Sequence, residues 1–133
     1  MFPTARYDSG AHRYAPHHDH LDLIGFDWPN AALRMQIRDR KNGGALRADL
    51  NQVSTAAAEG VRIDSVTWTE GVPTTRIAWR INKSTMREMK AELLGLAPDA
   101  NLPLQMDLHV TPVGGYEFIP IAGTLTVLAG VTD

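Results

Sequence analysis

Apolar and polar residues alternate most cleanly from Leu33, with Leu33, Met35 and Ile37 on one side and Arg34, Gln36 and Arg38 on the other. That is the period of a half-buried strand. Asn42-Gly43-Gly44 follows, residue types that tolerate positive φ, and residues 45–50 resume an extended pattern, which predicts a hairpin. Residues 55–59 are alanine-rich and read as a loop. Val61, Ile63, Val66 and Trp68 mark another strand, whose alternation slips near Ser65 as a bulge or register change would make it. Beyond Glu70-Gly71-Val72-Pro73 its partner alternates Ile77, Trp79 and Ile81 with Arg76, Ala78 and Arg80.

The pattern then changes period. Met86, Met89, Leu93 and Leu94 recur at i, i+3, i+7 and i+8, one apolar stripe that predicts a core-facing helix over residues 85–95. Thr85 and Glu88 have capping-box spacing, and Gly95 before Pro98 suits a left-handed stop. Alternation returns with Leu104, Met106, Leu108 and Val110, and a turn over residues 112–115 leads into residues 116–121. Gly123 marks a bend or bulge before a last β-rich run over residues 124–128. About seven short antiparallel strands with one helix predict a mainly β domain over residues 21–133. Two packed sheets, a β-sandwich with the helix as connection or lid, fit best, and a small, partly open barrel gives the same alternation.

Residues 1–20 sustain neither period. They hold Phe2, Tyr7, Tyr14, two prolines and four of the five histidines, His12, His17, His18 and His20. Disordered tails are poor in aromatics, so this segment reads as an extended N-terminal arm lying on its own domain or on a neighbouring subunit.

Composition narrows the function classes. The 133 residues suit one domain, and a net charge of -2 offers no electrostatic footprint for nucleic acid or anionic lipid. There is no cysteine, hence no disulfide, thiolate metal site or cysteine nucleophile. No apolar run approaches the ~20 residues of a membrane-spanning helix, and residues 1–20 lack the apolar centre of a secretory signal. Neither nucleic-acid binding nor membrane insertion is expected.

The carboxylates are scattered, and no nucleophile elbow, phosphate loop, dinucleotide fingerprint or His-Glu-x-x-His is present. No enzyme, catalytic residue or cofactor is therefore assigned. His12, His18 and His20 are the candidate metal ligands, since His18 and His20 share a side on an extended chain. The spacing matches no standard site, and the cluster reads as a polar arm with no metal assigned. Trp28, Trp68 and Trp79 are candidates for a sugar- or base-stacking platform, although Trp79 lies on the apolar side of its strand and belongs to the core. Arg34 and Arg38 would form a basic strip with Arg76 and Arg80 if their strands were neighbours. Interface candidates are Phe2, Tyr7, Tyr14, His17, Trp28, Arg34 and Arg38.

Two segments carry a family resemblance. Leu21-Asp22-Leu23-Ile24-Gly25-Phe26-Asp27-Trp28 leading into Ala32-Leu33-Arg34-Met35-Gln36-Ile37-Arg38 resembles the opening of small β domains encoded among the tail genes of bacteriophages and prophages. Met106-Asp107-Leu108-His109-Val110-Thr111 is similar to their "Y-D-L-x-x-T" strand, with Met106 in place of the tyrosine, followed by Gly123 and Thr124-Leu125-Thr126-Val127. The resemblance covers about half the chain and assigns no catalytic residue. It implies a structural virion protein of the distal tail or baseplate, made in the cytoplasm of the bacterial host. Such a protein joins other phage tail proteins, copies of itself in a ring or other symmetric assembly, and a receptor-binding protein. A carbohydrate-binding sandwich using exposed aromatics such as Trp28 is the alternative.

Overall fold

The computed structural model describes residues 4–39, 44–97 and 99–128. Nine strands form two sheets: β1 (Ala5–Arg6), β2 (Ser9–His12), β3 (His17–Ile24), β4 (Ala32–Arg38), β5 (Leu46–Leu50), β6 (Gly60–Thr69), β7 (Val72–Ile81), β8 (Leu102–Thr111) and β9 (Phe118–Leu128). The six-stranded sheet runs β1-β9-β8-β4-β5, with β2 also on β9, and the three-stranded sheet runs β3-β7-β6. One continuous core joins their inner faces. It takes Leu33, Met35 and Ile37 from β4, Leu104 to Val110 at alternate positions of β8, Leu125 and Val127 from β9, and Ile77, Trp79 and Ile81 from β7. These are the positions that the period-two pattern selects, so the mainly β sandwich read from the sequence is the fold observed.

The hairpins follow their turn chemistry. β4 and β5 pair antiparallel, while Asn42 and Gly43 of the expected turn lie outside the described residues. β6 and β7 pair around Glu70 and Gly71, with the register shift between Ile63 and Ser65. The runs expected over residues 116–121 and 124–128 join as the single strand β9.

The helix is shorter than its stripe predicts. α1 covers Lys83–Glu88, Met89 and Lys90 leave helical geometry, and a 3-10 turn covers Ala91–Leu94. The N-cap is Asn82, without a side-chain cap bond, so Thr85 does not open the helix. Met86, Met89 and Ala91 are buried, whereas Leu93 is 43% exposed and Leu94 is exposed too. The break rotates the chain so that Ala91 enters the core in place of Leu93 and Leu94. Gly95 ends the turn in the left-handed region, as the sequence suggests.

The largest difference lies in residues 4–24. β1 and β2 run parallel to β9, with Ala5 opposite Ile121 and His12 opposite Leu128. Residues 13–16 then carry the chain to the other sheet, where β3 pairs antiparallel with β7 from His17 opposite Ile81 to Ile24 opposite Thr74. The boundary expected at residue 20 falls inside β3. The missing signal has a physical cause. β3 does alternate, but its inward positions at the seam between the sheets are His17, Asp19, Leu21 and Leu23, all half-buried and two of them polar.

Gly123 has a different task from bending its own strand. Between β1 and β2 the arm bulges at Tyr7 and Asp8, and the Tyr7 carbonyl oxygen would lie 1.9 Å from a Cβ at position 123. Only glycine admits that approach. Asp8 Oδ1 accepts from the Thr124 N–H at 3.0 Å, and the Tyr7 N–H donates to Ala122 O at 3.1 Å.

Candidate functional site

Three places on the molecule gather polar side chains. The first is the seam where the arm meets β3. The Tyr7 hydroxyl donates to Asp19 Oδ2, the Ser9 hydroxyl reaches the same oxygen at 3.4 Å, and the His20 N–H donates to Asp19 Oδ1 at 2.8 Å. The Tyr7 ring meets Trp79 edge-on at 5.8 Å between centroids. Burial first, and the Asp19 carboxylate second, push the Tyr7 phenol well above its ordinary range. Tyr7 is thus a neutral donor that ties the edge of one sheet to the edge of the other. His17, also facing inward, has its pKa lowered by burial.

The second place is the outer face of the six-stranded sheet. Arg34 holds Asp49 through Nε at 2.8 Å and Nη2 at 2.5 Å. Across the strand pair from Arg34 stands His109, whose Nδ1 lies 3.1 Å from Glu117 and Nε2 3.1 Å from Asp107. Both imidazole nitrogens are thus engaged by carboxylates of the same hairpin. The sequence held half of this cluster, Asp107 and His109 on the polar side of one strand. Glu117 joins only because the hairpin brings it back.

The third place is the outer face of the three-stranded sheet. In β7 the short side chain of Ala78 sits between His20 of β3 and Arg62 of β6, with Arg76 and Arg80 two residues away on the same face. A methyl floor among long side chains leaves an open depression of about 250 Å3 whose lining includes two arginines, Arg62 and Arg76, two aspartates, Asp19 and Asp64, and the imidazoles of His18 and His20. Arg62 Nη2 donates to Asp64 at 3.2 Å, and Arg76 donates to Asp22 through Nε and Nη2 at 2.8 and 3.2 Å. Arg80 Nε donates to Asn82 Oδ1 at 3.0 Å.

The candidates taken from the sequence are dispersed. Phe2 lies outside the described residues. Tyr14 is half-buried with the Arg87 guanidinium 6.0 Å from its ring centre. His18 and His20 do share the outer face of β3, but His12 ends β2 on the other sheet. Among the described residues no three His, Asp or Glu side chains converge as a metal site. The strip of Arg34, Arg38, Arg76 and Arg80 does not form, because β4 and β7 belong to different sheets. Arg38 instead donates to Gln36 Oε1 and to the Gly44 carbonyl. Trp28 is half-buried. Its ring packs on Phe26 at 4.4 Å and Phe118 at 5.4 Å between centroids, and its backbone N–H donates to the Thr75 hydroxyl. The exposed indole is Trp68, 59% accessible at the end of the β6–β7 hairpin.

Comparison with known proteins returns no relative. No family model, curated protein or solved structure matches the chain. No helix among the described residues is long and apolar enough to cross a membrane.

Proposed function

We propose that the chain is a non-catalytic structural subunit of a phage tail, a sandwich adaptor of the distal tail or baseplate. The observation that carries the reading is adjacency. The segments that resemble the tail-gene β domains fall on residues 21–28, the end of β3 and the loop after it, and on β4, β8 and the second half of β9, of which the last three are consecutive hydrogen-bonded neighbours in the six-stranded sheet. Beyond residues 21–28 the resemblance follows one contiguous piece of that sheet. Sheet edges support the same role, since unpaired backbone along β3, β5 and the arm is what subunits add strands to. Its partners in this reading are other tail proteins and further copies of the chain, with a receptor-binding protein beyond them.

The test is a deletion of the gene in the phage that carries it. Tails that fail to assemble, together with detection of the chain by mass spectrometry in wild-type particles, are the expected result. Particles of normal morphology and infectivity from the deletion would overturn the reading.

A further inference from the structure

We propose that copies of this chain join end to end, the apolar, acidic end formed by two hairpin turns of one copy seating on the α1 to 3-10 segment of the next. Residues 82–97 leave the end of β7 and enter the start of β8, so the β6–β7 and β8–β9 turns each lie a ten-residue strand, ~30 Å, away from them. Trp28 holds the two turns on one end of the molecule, since its backbone N–H donates to Thr75 of β7 and its ring packs on Phe118 at the start of β9. That end carries five exposed large apolar side chains, Ile24, Trp68, Val72, Val113 and Tyr116, the last 95% in water. At ~150–250 Å2 for a whole aromatic side chain, they present on the order of 600 Å2. Covering that patch buries a like area on the partner, together about the ~1,200 Å2 at which stable interfaces begin. The α1 to 3-10 segment exposes Leu93, Leu94 and Leu96. Among the described residues only Leu46, at the start of β5, is a large exposed apolar side chain outside these two surfaces.

Charge selects the partner. Residues 24–31, 66–75 and 111–118 hold Asp27, Glu70 and Glu117 and no Lys, Arg or His. Glu117 meets His109, while Asp27 and Glu70 stand exposed. Residues 82–97 hold Lys83, Arg87 and Lys90 against Glu88 and Glu92, all exposed. Two acidic ends facing each other would repel, and so would two lysine-bearing segments. An acidic end on a lysine-bearing segment sets leucine against the apolar turns and ammonium against carboxylate. Glu70 adds a separate sign, because its backbone is left-handed at φ 52°, before Gly71 at φ 79°, where asparagine or glycine would sit with less strain. A carboxylate kept there against its conformational preference fits a contact made outside the chain. The contact is heterologous, so every added copy leaves one surface of each kind open and the series continues as a ring or a filament. It deepens the reading as a tail subunit by naming the surfaces through which copies meet, but it stands on surface chemistry alone.

Sedimentation velocity of the full chain from about 5 to 500 µM reads the association, expected with a Kd on the order of 10–100 µM and weakened as sodium chloride is raised. Trp68→Ser with Tyr116→Ser removes one surface, and Lys90→Glu with Leu93→Ser removes the other; all four side chains are exposed, so the fold is kept. Each double variant alone should stay monomeric. Their equimolar mixture should give a 1:1 dimer and nothing larger, because each brings the surface that the other lacks. Glu70→Asn, which relieves the turn, should weaken association of the otherwise unchanged chain by about threefold or more. A wild-type chain that stays monomeric at ~500 µM, double variants that fail to combine, or association abolished by one pair of substitutions and untouched by the other overturns the contact. Each of these outcomes leaves the tail reading to the gene deletion, which tests it separately.

Discussion

Replacing Gly123 by alanine tests how the arm is held. An ideal Cβ there lies 1.9 Å from Tyr7 O, 2.6 Å from Tyr7 C and 2.9 Å from Asp8 Oδ1. Ordinary carbon–oxygen contact begins near ~3.3 Å, so the Tyr7 backbone must retreat by about 1.4 Å. That breaks the Tyr7 N–H bond to Ala122 O and the Thr124 N–H bond to Asp8, 3.1 and 3.0 Å in the native protein. At about 1 kcal/mol net for each bond the loss is ~2 kcal/mol, and displacing the Tyr7 hydroxyl from Asp19 adds about 1 more. Alanine's better backbone entropy returns only ~0.5–1 kcal/mol, so the steric effect wins by about 2 kcal/mol. Thermal and urea unfolding measure the total, and hydrogen exchange of amides 5–12 locates it. Gly10→Ala is the control within the same arm, because its Cβ meets nothing closer than Leu128 Cδ1 at 3.7 Å and should be neutral or mildly stabilising. Equal stability of the two variants, with arm amides still protected in Gly123→Ala, would refute the reasoning.

Tyr7→Phe should cost about 1–2 kcal/mol in urea unfolding near neutral pH, since Asp19 loses its hydroxyl partner. Because the folded-state phenol is raised, its stabilisation is intact below the ordinary tyrosine value of ~10 and is lost as pH climbs past it; the phenylalanine variant should lack that alkaline loss. His17 has the opposite sign. Its lowered value gives stability that is present above the ordinary imidazole value of ~6.5 and lost as pH falls through the folded value, so His17→Gln should flatten the acid side of a Tm-against-pH profile. Met89→Ala should cost about 2–4 kcal/mol, whereas Leu93→Ala should stay within about 0.5 kcal/mol by the same denaturant assay. Equal costs for those two would restore the continuous helical stripe.

Strands with one dry and one wet face were readable from sequence, because burial and the period of two coincide along β4, β7 and β8. β3 was not, since its inward positions mix imidazole, carboxylate and leucine at a half-open seam. β1 and β2 were hidden for another reason. Their hold on β9 is mainly backbone pairing, and of β1 and β2 only Ala11 is buried, so hydropathy carries almost no trace of them. The helical stripe misled because a 3.6 period says which residues share a face, not whether the chain keeps turning past Glu88. The depression over Ala78 was legible only in part. Arg76, Ala78 and Arg80 were on one face, but Arg62 and His20 reach them through strand pairing that no local pattern encodes.

The parallel union of the arm with β9 has a mechanical meaning. Thr4 sits beside Ile119, and His12 beside Leu128, with both strands running the same way. Tension applied between Thr4 and Leu128 along the strands pulls them past one another, in shear. The bonds between them then resist together instead of opening one by one like a zipper. Resistance of this kind belongs to the unfolding barrier rather than to equilibrium stability. A domain joined to its surroundings through these two points would transmit a pull along β9 before it yielded.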